Sequence, residues 1–195
     1  MRKELSEMTI EELWELFPII LKEHNKDYKE WYEVEKESLL SFIDQKNIIR
    51  INHIGSSAVE GLISKPTVDI LLEIDDKTDI EQLTNTITEN GWILMSSRKK
   101  PNMQLSFNKG YTKKGFAEKV YHLHVRYCDD WNELYFRDYL IEHKEVADEY
   151  GKLKLGLIAK YEHDRDGYTD AKSDFISKYT KKAKEKYGDR YNPMK

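Results

Sequence analysis

The chain has 195 residues, of which 39% are hydrophobic and 35% charged, and its 32 basic and 36 acidic residues give a net charge of −4. This length and hydrophobic content predict one folded domain with its own core and exclude disorder over most of the chain. The small negative charge gives no strong signal for nucleic-acid binding. The single cysteine, Cys128, excludes a disulfide framework within the chain and a zinc ribbon.

Neither a secretion signal nor a membrane span is predicted. Residues 1–17 carry acids where a signal sequence needs an apolar run, and no segment approaches the roughly 20 apolar residues that span a bilayer. A lone cysteine is typical of a reducing compartment. We therefore expect a cytoplasmic protein without a membrane partner.

Residues 1–45 are predicted to form N-terminal helices. Thr9 and Glu12 have the spacing of a capping box. The helix that they begin is expected to end at Pro18, because proline lacks the amide proton that would continue it. A second helix is predicted over residues 27–45, where apolar residues follow helical spacing.

Residues 46–128 are predicted to form a mixed sheet with a crossover helix. Apolar runs separated by turn signals are typical of strands. The strands are predicted at residues 48–54, 67–74, 92–98, 103–110 and 119–128, and a helix at residues 79–90 that Gly91 closes. Residues 129–187 have helical spacing and form a predicted C-terminal helical cap. The sequence thus predicts a single domain of the α+β class, with mixed α/β organisation.

The main candidate site follows the first predicted strand. Gly55, Ser56 and Ser57 form a turn there, and such a turn allows close backbone approach and offers amides and hydroxyls to phosphate oxygens. Lys65 adds a positive charge near the same edge of the sheet. Asp69 is a carboxylate in an apolar strand, where it needs a cation or hydrogen bonds. We expect a site for a polyphosphate and a divalent metal, with an ordinary turn and a structural acid as the alternative.

Further residues on two predicted strands affect this site. Leu71 and Glu73 share a face with Asp69, but leucine has no ligand oxygen. Glu73 would lie about 13 Å from Asp69, at roughly 3.3 Å per residue, and is predicted to be a solvated strand end. On the last predicted strand, His122 and His124 share a face. His124 is a candidate metal ligand, phosphate-orienting group or base, and imidazole suits Mn²⁺ or Zn²⁺ better than Mg²⁺. A polar groove lined by the two histidines is the alternative.

The predicted cap carries one charged residue in an unusual place. Lys172 shares a helix face with Tyr168, Phe175 and Tyr179. A lysine on the packed face of a helix needs an acid, a phosphate or a path to water. Lys172 is therefore a candidate ligand-binding residue, with a structural salt bridge as the alternative. Residues 187–195 are predicted to be frayed.

Five short segments carry a family resemblance: HIGSSAVEGL, SKPTVDILLEI, YHLHV, FRDYL and DRDGYTDAKSDFI. Their order and spacing resemble the GrpB family, a branch of the nucleotidyltransferase fold superfamily, over residues 19–182. The resemblance implies a small mixed sheet flanked by helices. In that superfamily a Gly-Ser turn holds nucleotide phosphates, and two acids at alternating strand positions, with a third on a later strand, bind metals. Gly55 and Ser56 match the turn and Asp69 the first acid, whereas Leu71 replaces the second and the later strand has no acid.

The resemblance implies an enzyme that binds a nucleoside triphosphate with Mg²⁺ or Mn²⁺ and transfers a nucleotidyl group to an unidentified acceptor. Because Leu71 removes the second acid, the alternative is a catalytically degenerate module that binds a nucleotide or another anion and regulates a partner. A purely structural interaction module is the third reading. The candidate ligand-binding residues are Gly55, Ser56, Ser57, Lys65 and Lys172; the candidate catalytic residues are Asp69, also the candidate metal ligand, and His124.

Overall fold

The computed structural model describes residues 3–193 of the chain. The helices are α1 (Ile10–Leu16), α2 (Tyr28–Phe42), α3 (Ile80–Glu89), α4 (Asn132–Glu142), α5 (Lys144–Tyr161), α6 (Arg165–Asp170) and α7 (Ser173–Tyr187). The strands are β1 (Ile48–Ile54), β2 (Val68–Ile74), β3 (Ile93–Arg98), β4 (Gln104–Thr112) and β5 (Gly115–Tyr127). The predicted α+β class, with helices beside a mixed sheet and a C-terminal helical cap, is confirmed. Among the described residues, no helix has the length and apolar character needed to cross a membrane.

The strands of residues 3–193 form a five-stranded sheet in the order β1-β2-β5-β4-β3. β2 and β5 run parallel and the other neighbouring strands antiparallel, so the sheet is mixed. The parallel pair brings two predicted parts of the site together. Asp69 lies opposite His122, and Leu71 lies opposite His124. Since side chains alternate along a strand, Asp69 and both histidines lie on one face of the sheet.

The other face of the sheet forms the main apolar core with α2 and α3. The buried residues of α2 are Tyr28, Tyr32, Glu35 and Leu39, a spacing that places them on one stripe of the helix. α3 begins at Asp79, whose side chain accepts a hydrogen bond from the amide of Gln82 at 3.0 Å. The β2 residues predicted for this core, Val68, Ile70, Leu72 and Ile74, have no exposed surface. The predicted division of β2 into a core face and a site face is therefore observed.

The C-terminal helices cover the face of the sheet that carries Asp69. Leu71 is fully buried and packs with Ile54 of β1 and Leu134 of α4. A second apolar cluster joins the cap to the segment after β1, and its buried members are Val59, Leu62, Leu140, Val146, Ala147, Tyr150 and Tyr179. The candidate site therefore lies between the sheet and the cap.

Two details of the cap differ from the sequence prediction. The predicted stripe through Tyr168 and Lys172 is not continuous, because a break separates α6 from α7 and Lys172 stands in it as the residue that precedes α7. The segment after α7 is not frayed at Tyr191. Its hydroxyl donates a hydrogen bond to Asp138, and its ring packs edge-on against Tyr135 at 5.1 Å. Residues 194 and 195 lie outside the described part of the chain.

Candidate functional site

The turn after β1 is built around a close approach between Gly55 and Asp69. Gly55 has a φ of +72°, and a Cβ at this position would lie 2.5 Å from Asp69 Oδ2. Any other residue would therefore collide with the carboxylate and adopt a backbone conformation that disfavours L side chains. Because glycine has no Cβ, the backbone of the turn can lie in contact with the Asp69 carboxylate.

The two serines of the turn have different surroundings. Residues Ser56–Ala58 form a single 3₁₀ turn, which is too short to provide an α-helix N-terminus. Ser56 Oγ accepts a hydrogen bond from Lys154 Nζ at 2.9 Å and lines the cleft. Ser57 is buried, and its Oγ lies 3.1 Å from His53 Nε2. Of the two hydroxyls, that of Ser56 is the one aimed at the cleft lysine, whereas that of Ser57 is held by His53.

A small chamber of about 160 Å³ lies beside this turn. Its lining residues are Leu21, Gly55, Ser56, Ser57, Ser64, Lys65, Thr67, Asp69, Tyr150, Lys154, Tyr168 and Lys172. Lys65, Lys154 and Lys172 thus face Asp69, the one carboxylate in that lining. Within residues 3–193, none of the three lysines forms an ion pair with a carboxylate. The chamber therefore has a local excess of positive charge, although the chain as a whole is negative.

Lys154 is the most buried of these lysines, with 3% of its surface exposed. Its ammonium group donates hydrogen bonds to Ser56 Oγ and to the carbonyl oxygen of Ile63, and it lies 4.7 Å from the centre of the Tyr150 ring. Burial, together with the charges of Lys172 and Lys65, lowers the pKa of Lys154 to about 7. Near neutral pH the ammonium group is therefore only partly protonated.

The pKa values of the other two lysines are lowered as well. Burial and the charge of Lys65 lower the pKa of Lys172 to about 8, against an opposing effect of Asp69. Burial and the neighbouring Arg165 lower the pKa of Lys65. A bound anion would screen these like charges from one another and favour the protonated forms.

Sequence reasoning identified Lys65 and Lys172 but missed Lys154. The signal was available, because Ala147, Tyr150 and Lys154 are spaced at i, i+3 and i+7 and are all buried on one face of α5. The test applied to Lys172, a lysine on an apolar helix face, selects Lys154 equally well.

Asp69 is hydrogen-bonded to His122 of β5 and faces His124 of the same strand. Its Oδ1 lies 3.0 Å from His122 Nδ1 and 3.8 Å from His124 Nε2. Burial disfavours the charged carboxylate, but the neighbouring imidazoles outweigh burial and hold the pKa of Asp69 well below its usual range. Burial is the main influence on His122 and lowers its pKa, while Asp69 acts in the opposite direction.

A pair of Mg²⁺ ions held by neighbouring carboxylates, as the superfamily pattern implies, does not fit this wall. Leu71, at the second acid position, is buried in an apolar cluster. Glu73 has no exposed surface and forms a two-point ion pair with Arg50, with distances of 2.6 and 2.9 Å. The prediction that Glu73 is a solvated strand end was wrong, because the neighbouring strand supplies a buried partner for it. Asp69 is thus the only acid of β2 that reaches the cleft.

A larger chamber of about 620 Å³ adjoins the small one. The two linings share Gly55, Ser56, Asp69, Tyr150 and Lys172. The larger chamber is additionally bordered by Gln104, His124, Arg126, Trp131, Asn132, Glu133, Phe136, Arg137 and Thr169, among others. Aromatic rings, amides and charged groups therefore surround a space of the size that small-molecule sites have.

The structure brings the predicted site residues together. Gly55, Ser56, Asp69 and Lys172 line both chambers, Ser57 and Lys65 line the small one, and His124 lines the large one. Chemically, the small chamber can neutralise an anion and the Asp69 wall can bind a cation. The two capacities lie side by side across the turn.

The chain was compared with known families and structures. The model of the GrpB protein family matches residues 18–182. The glutamate-rich protein GrpB of Alkalihalophilus pseudofirmus is 34% identical over 161 residues, which cover 81% of this chain and 91% of that protein.

One solved structure gives the same assignment. The conserved protein GrpB from Enterococcus faecalis superposes with a TM-score of 0.74 and 27% identity, over 86% of this chain and 99% of that one. The Cid1 poly(U) polymerase superposes with a TM-score of 0.47 and 10% identity over 75% of this chain and 43% of Cid1. Since the family pattern spans most of the residues and a 34% identical relative is matched along nearly its whole length, the chain belongs to the GrpB family.

Proposed function

We propose that the cleft binds a phosphorylated small molecule, with a nucleoside triphosphate as the specific candidate. The two outer phosphates occupy the small chamber, and the rest of the ligand extends into the large one. The observation that carries this proposal is the group formed by Lys65, Lys154 and Lys172, which surrounds one small space in which none of the three forms an ion pair with a carboxylate of residues 3–193. Buried cations without partners are costly, and an anion supplies the missing partner.

The dimensions support this arrangement. A chamber of about 160 Å³ corresponds to about five water molecules at roughly 30 Å³ each, the scale of one or two phosphate groups. The large chamber offers Trp131 and Phe136 as flat apolar surfaces and Gln104 and Asn132 as hydrogen-bonding groups. A base and a sugar are compatible with that lining.

The more specific hypothesis is nucleotidyl transfer. An acceptor oxygen attacks the α-phosphorus of the triphosphate, and pyrophosphate leaves with its negative charge neutralised by the lysines. Asp69 holds a divalent cation, Mg²⁺ or Mn²⁺, and His124 completes that part of the site. The acceptor remains unidentified, and the family resemblance is the basis for the transfer step.

A second candidate is a binding module that has lost catalysis and regulates a partner protein. Two observations favour it: Leu71 is sealed in the apolar cluster, and Glu73 is fixed by Arg50. Neither can supply the second carboxylate that transfer with a metal pair needs. The phosphate-binding lysines are common to both candidates.

Nucleotide titrations followed by thermal and urea unfolding test the shared part of the proposal. ATP, GTP, CTP, UTP and pyrophosphate are added with and without Mn²⁺. A ligand at 100 times its Kd should stabilise the fold by about 2.7 kcal/mol. Lys154→Met should remove most of this gain, whereas Lys152→Met, at an exposed position of the same helix, should retain it.

Pyrophosphate release from the nucleoside triphosphate that binds separates the two candidates. The enzyme releases pyrophosphate when an acceptor is present and loses this activity in Asp69→Asn. The regulatory module binds without release. If no nucleotide or pyrophosphate stabilises the chain at millimolar concentration, with or without metal, the phosphate site is refuted and the interaction module gains support.

A further inference from the structure

Three ligand atoms converge on the wall between the two chambers, one each from Asp69, His122 and His124. They lie within 4.8 Å of one another. Asp69 Oδ1 is 3.0 Å from His122 Nδ1 and 3.8 Å from His124 Nε2. Bonds of about 2.1 Å around Zn²⁺ or Mg²⁺ place neighbouring ligand atoms roughly 3 to 3.5 Å apart. The Asp69–His122 pair already has this spacing, and a shift of the His124 ring by a few tenths of an ångström towards Asp69 would bring the third ligand atom into the same range.

The second ring nitrogen of His122, Nε2, has a hydrogen-bond partner of its own. His122 Nε2 lies 2.8 Å from the hydroxyl of Tyr111, which accepts a hydrogen bond from Arg165 Nη2 at 2.8 Å. When Nδ1 of His122 carries the proton, it donates to Asp69, and Tyr111 donates to Nε2. With a metal on Nδ1, the proton would lie on Nε2, and Nε2 would donate a hydrogen bond to the Tyr111 oxygen. His122 can exchange its proton for a metal ion and keep its outer hydrogen bond, the arrangement that orients histidine ligands.

His124 has no comparable partner. At 3.8 Å its Nε2 is beyond hydrogen-bond length from Asp69, and no other residue within 3–193 forms a hydrogen bond with its ring. The side chain is 28% exposed and lines the large chamber, which provides an access path. His124 therefore faces the Asp69 carboxylate without a hydrogen bond to it. The hydrogen bonds that connect Asp69, His122, Tyr111 and Arg165 do not account for this placement of His124.

We propose that Asp69, His122 and His124 form a site for one divalent transition-metal ion of the Mn²⁺ and Zn²⁺ class. The ligand types argue against Mg²⁺, which requires oxygen ligands in a nearly octahedral arrangement, and favour metals that accept imidazole nitrogen beside a carboxylate, of which Mn²⁺ and Zn²⁺ are the two to be tested. This site stands where the superfamily pattern places a carboxylate-bound Mg²⁺ pair. The inference names the metal of the site proposed above and does not require a nucleotide.

Direct metal binding to the full chain, freed of metal by a chelator, tests this inference without any activity measurement. Mn²⁺ is titrated and followed by loss of the electron paramagnetic resonance signal of the free ion, and Zn²⁺ is titrated against a chromophoric chelator. The expected result is one ion per chain, with Mg²⁺ unable to displace Mn²⁺ at a hundredfold excess. Electron spin-echo spectra of bound Mn²⁺ should show coupling to imidazole nitrogen.

Matched variants locate the ion. His122→Gln and His124→Gln should each weaken Mn²⁺ and Zn²⁺ binding at least tenfold, and Asp69→Asn should do the same. His163→Gln, a partly exposed histidine outside both chamber linings, should bind as the unaltered chain does. The far-ultraviolet circular dichroism spectrum and urea midpoint of each variant confirm that it is folded.

Three results would overturn the inference: no stoichiometric binding of Mn²⁺ or Zn²⁺ below 100 µM, displacement of Mn²⁺ by equimolar Mg²⁺, or spectra of bound Mn²⁺ without nitrogen coupling. The spectra of Mn²⁺ bound to the unaltered chain test for histidine ligands even if a histidine variant fails to fold. Since no nucleotide is added, a negative result here leaves the phosphate site standing. Failure of nucleotide binding leaves the metal site standing in the same way.

Discussion

Replacing Lys154 by methionine should change how the stability of the fold depends on pH. The pKa of Lys154 is lowered from 10.5 to about 7, mainly by burial. A basic group whose pKa is lower in the folded state opposes folding at low pH, because the unfolded chain holds the proton more tightly. This cost diminishes as pH rises from the folded pKa towards the unfolded one.

The size of the effect follows from the two pKa values. Between pH 7 and pH 9 the unfolded chain keeps its proton on Lys154, while the folded chain passes from half protonated to almost unprotonated. At about 1.4 kcal/mol per pH unit, and allowing for half protonation at pH 7, the free energy of unfolding rises by about 2 kcal/mol over this interval. The side chain is 3% exposed, so solvent screening does not reduce this figure much. Lys154→Met should lose this increment whatever its stability at pH 7.

Urea unfolding followed by tryptophan fluorescence, in a buffer without phosphate or sulfate, measures this increment at pH 7, 8 and 9. The quantity to compare is the difference between the unaltered chain and Lys154→Met at each pH, so that titrating groups that do not interact with Lys154 cancel. Lys152→Met should behave as the unaltered chain does. Parallel pH curves for the unaltered chain and Lys154→Met would show that the bonds to Ser56 and Ile63 keep Lys154 charged, and the reasoning would fail.

Three further changes have definite expected outcomes. Sulfate, whose charge is constant over this range, should bind at least tenfold more weakly at pH 9 than at pH 6.5, because Lys154 and Lys172, with pKa values of about 7 and about 8, both lose most of their protons; isothermal titration at both pH values checks this, and pH-independent binding would count against it. Gly55→Ala should destabilise the fold by about 1–3 kcal/mol, because the added Cβ meets Asp69 at a positive φ; an unchanged urea midpoint would contradict it. Glu73→Gln should cost about 1–3 kcal/mol, because it removes the negative charge opposite Arg50, which stays partly exposed and keeps its bonds to the carbonyls of Tyr191 and Asp129. Sulfate binding to the folded variant should persist, and loss of sulfate binding would place Glu73 in the site.

The sequence predicted the parts of the site that depend on local pattern. Alternation along β2 and β5 was sufficient to place Asp69 on the same face as Leu71 and to group His122 with His124. The glycine turn was also recognisable, although the structure gives it a different partner: Gly55 makes room for the carboxylate of Asp69.

The errors concern contacts between distant segments. Glu73 was misjudged because its environment depends on Arg50 of the neighbouring strand, and the register between β1 and β2 cannot be read from either strand alone. The helix face of Lys154 was readable from the sequence, but its partner Ser56 was not, because that contact depends on how α5 docks against the turn. One error is local: the break that contains Lys172 was missed, because continuous helical spacing does not reveal where one helix ends and the next one starts.

The hydrogen bond from Lys154 to Ser56 joins positions 98 residues apart. During synthesis, the glycine-serine turn leaves the ribosome well before α5, so the small chamber is completed only when the last third of the chain has folded onto the first. An N-terminal fragment that ends before α5 would keep the recognisable Gly55-to-Asp69 signature and lack the wall that closes it. Searches for functional relatives should therefore require a buried lysine in the later helices as well as the early motif.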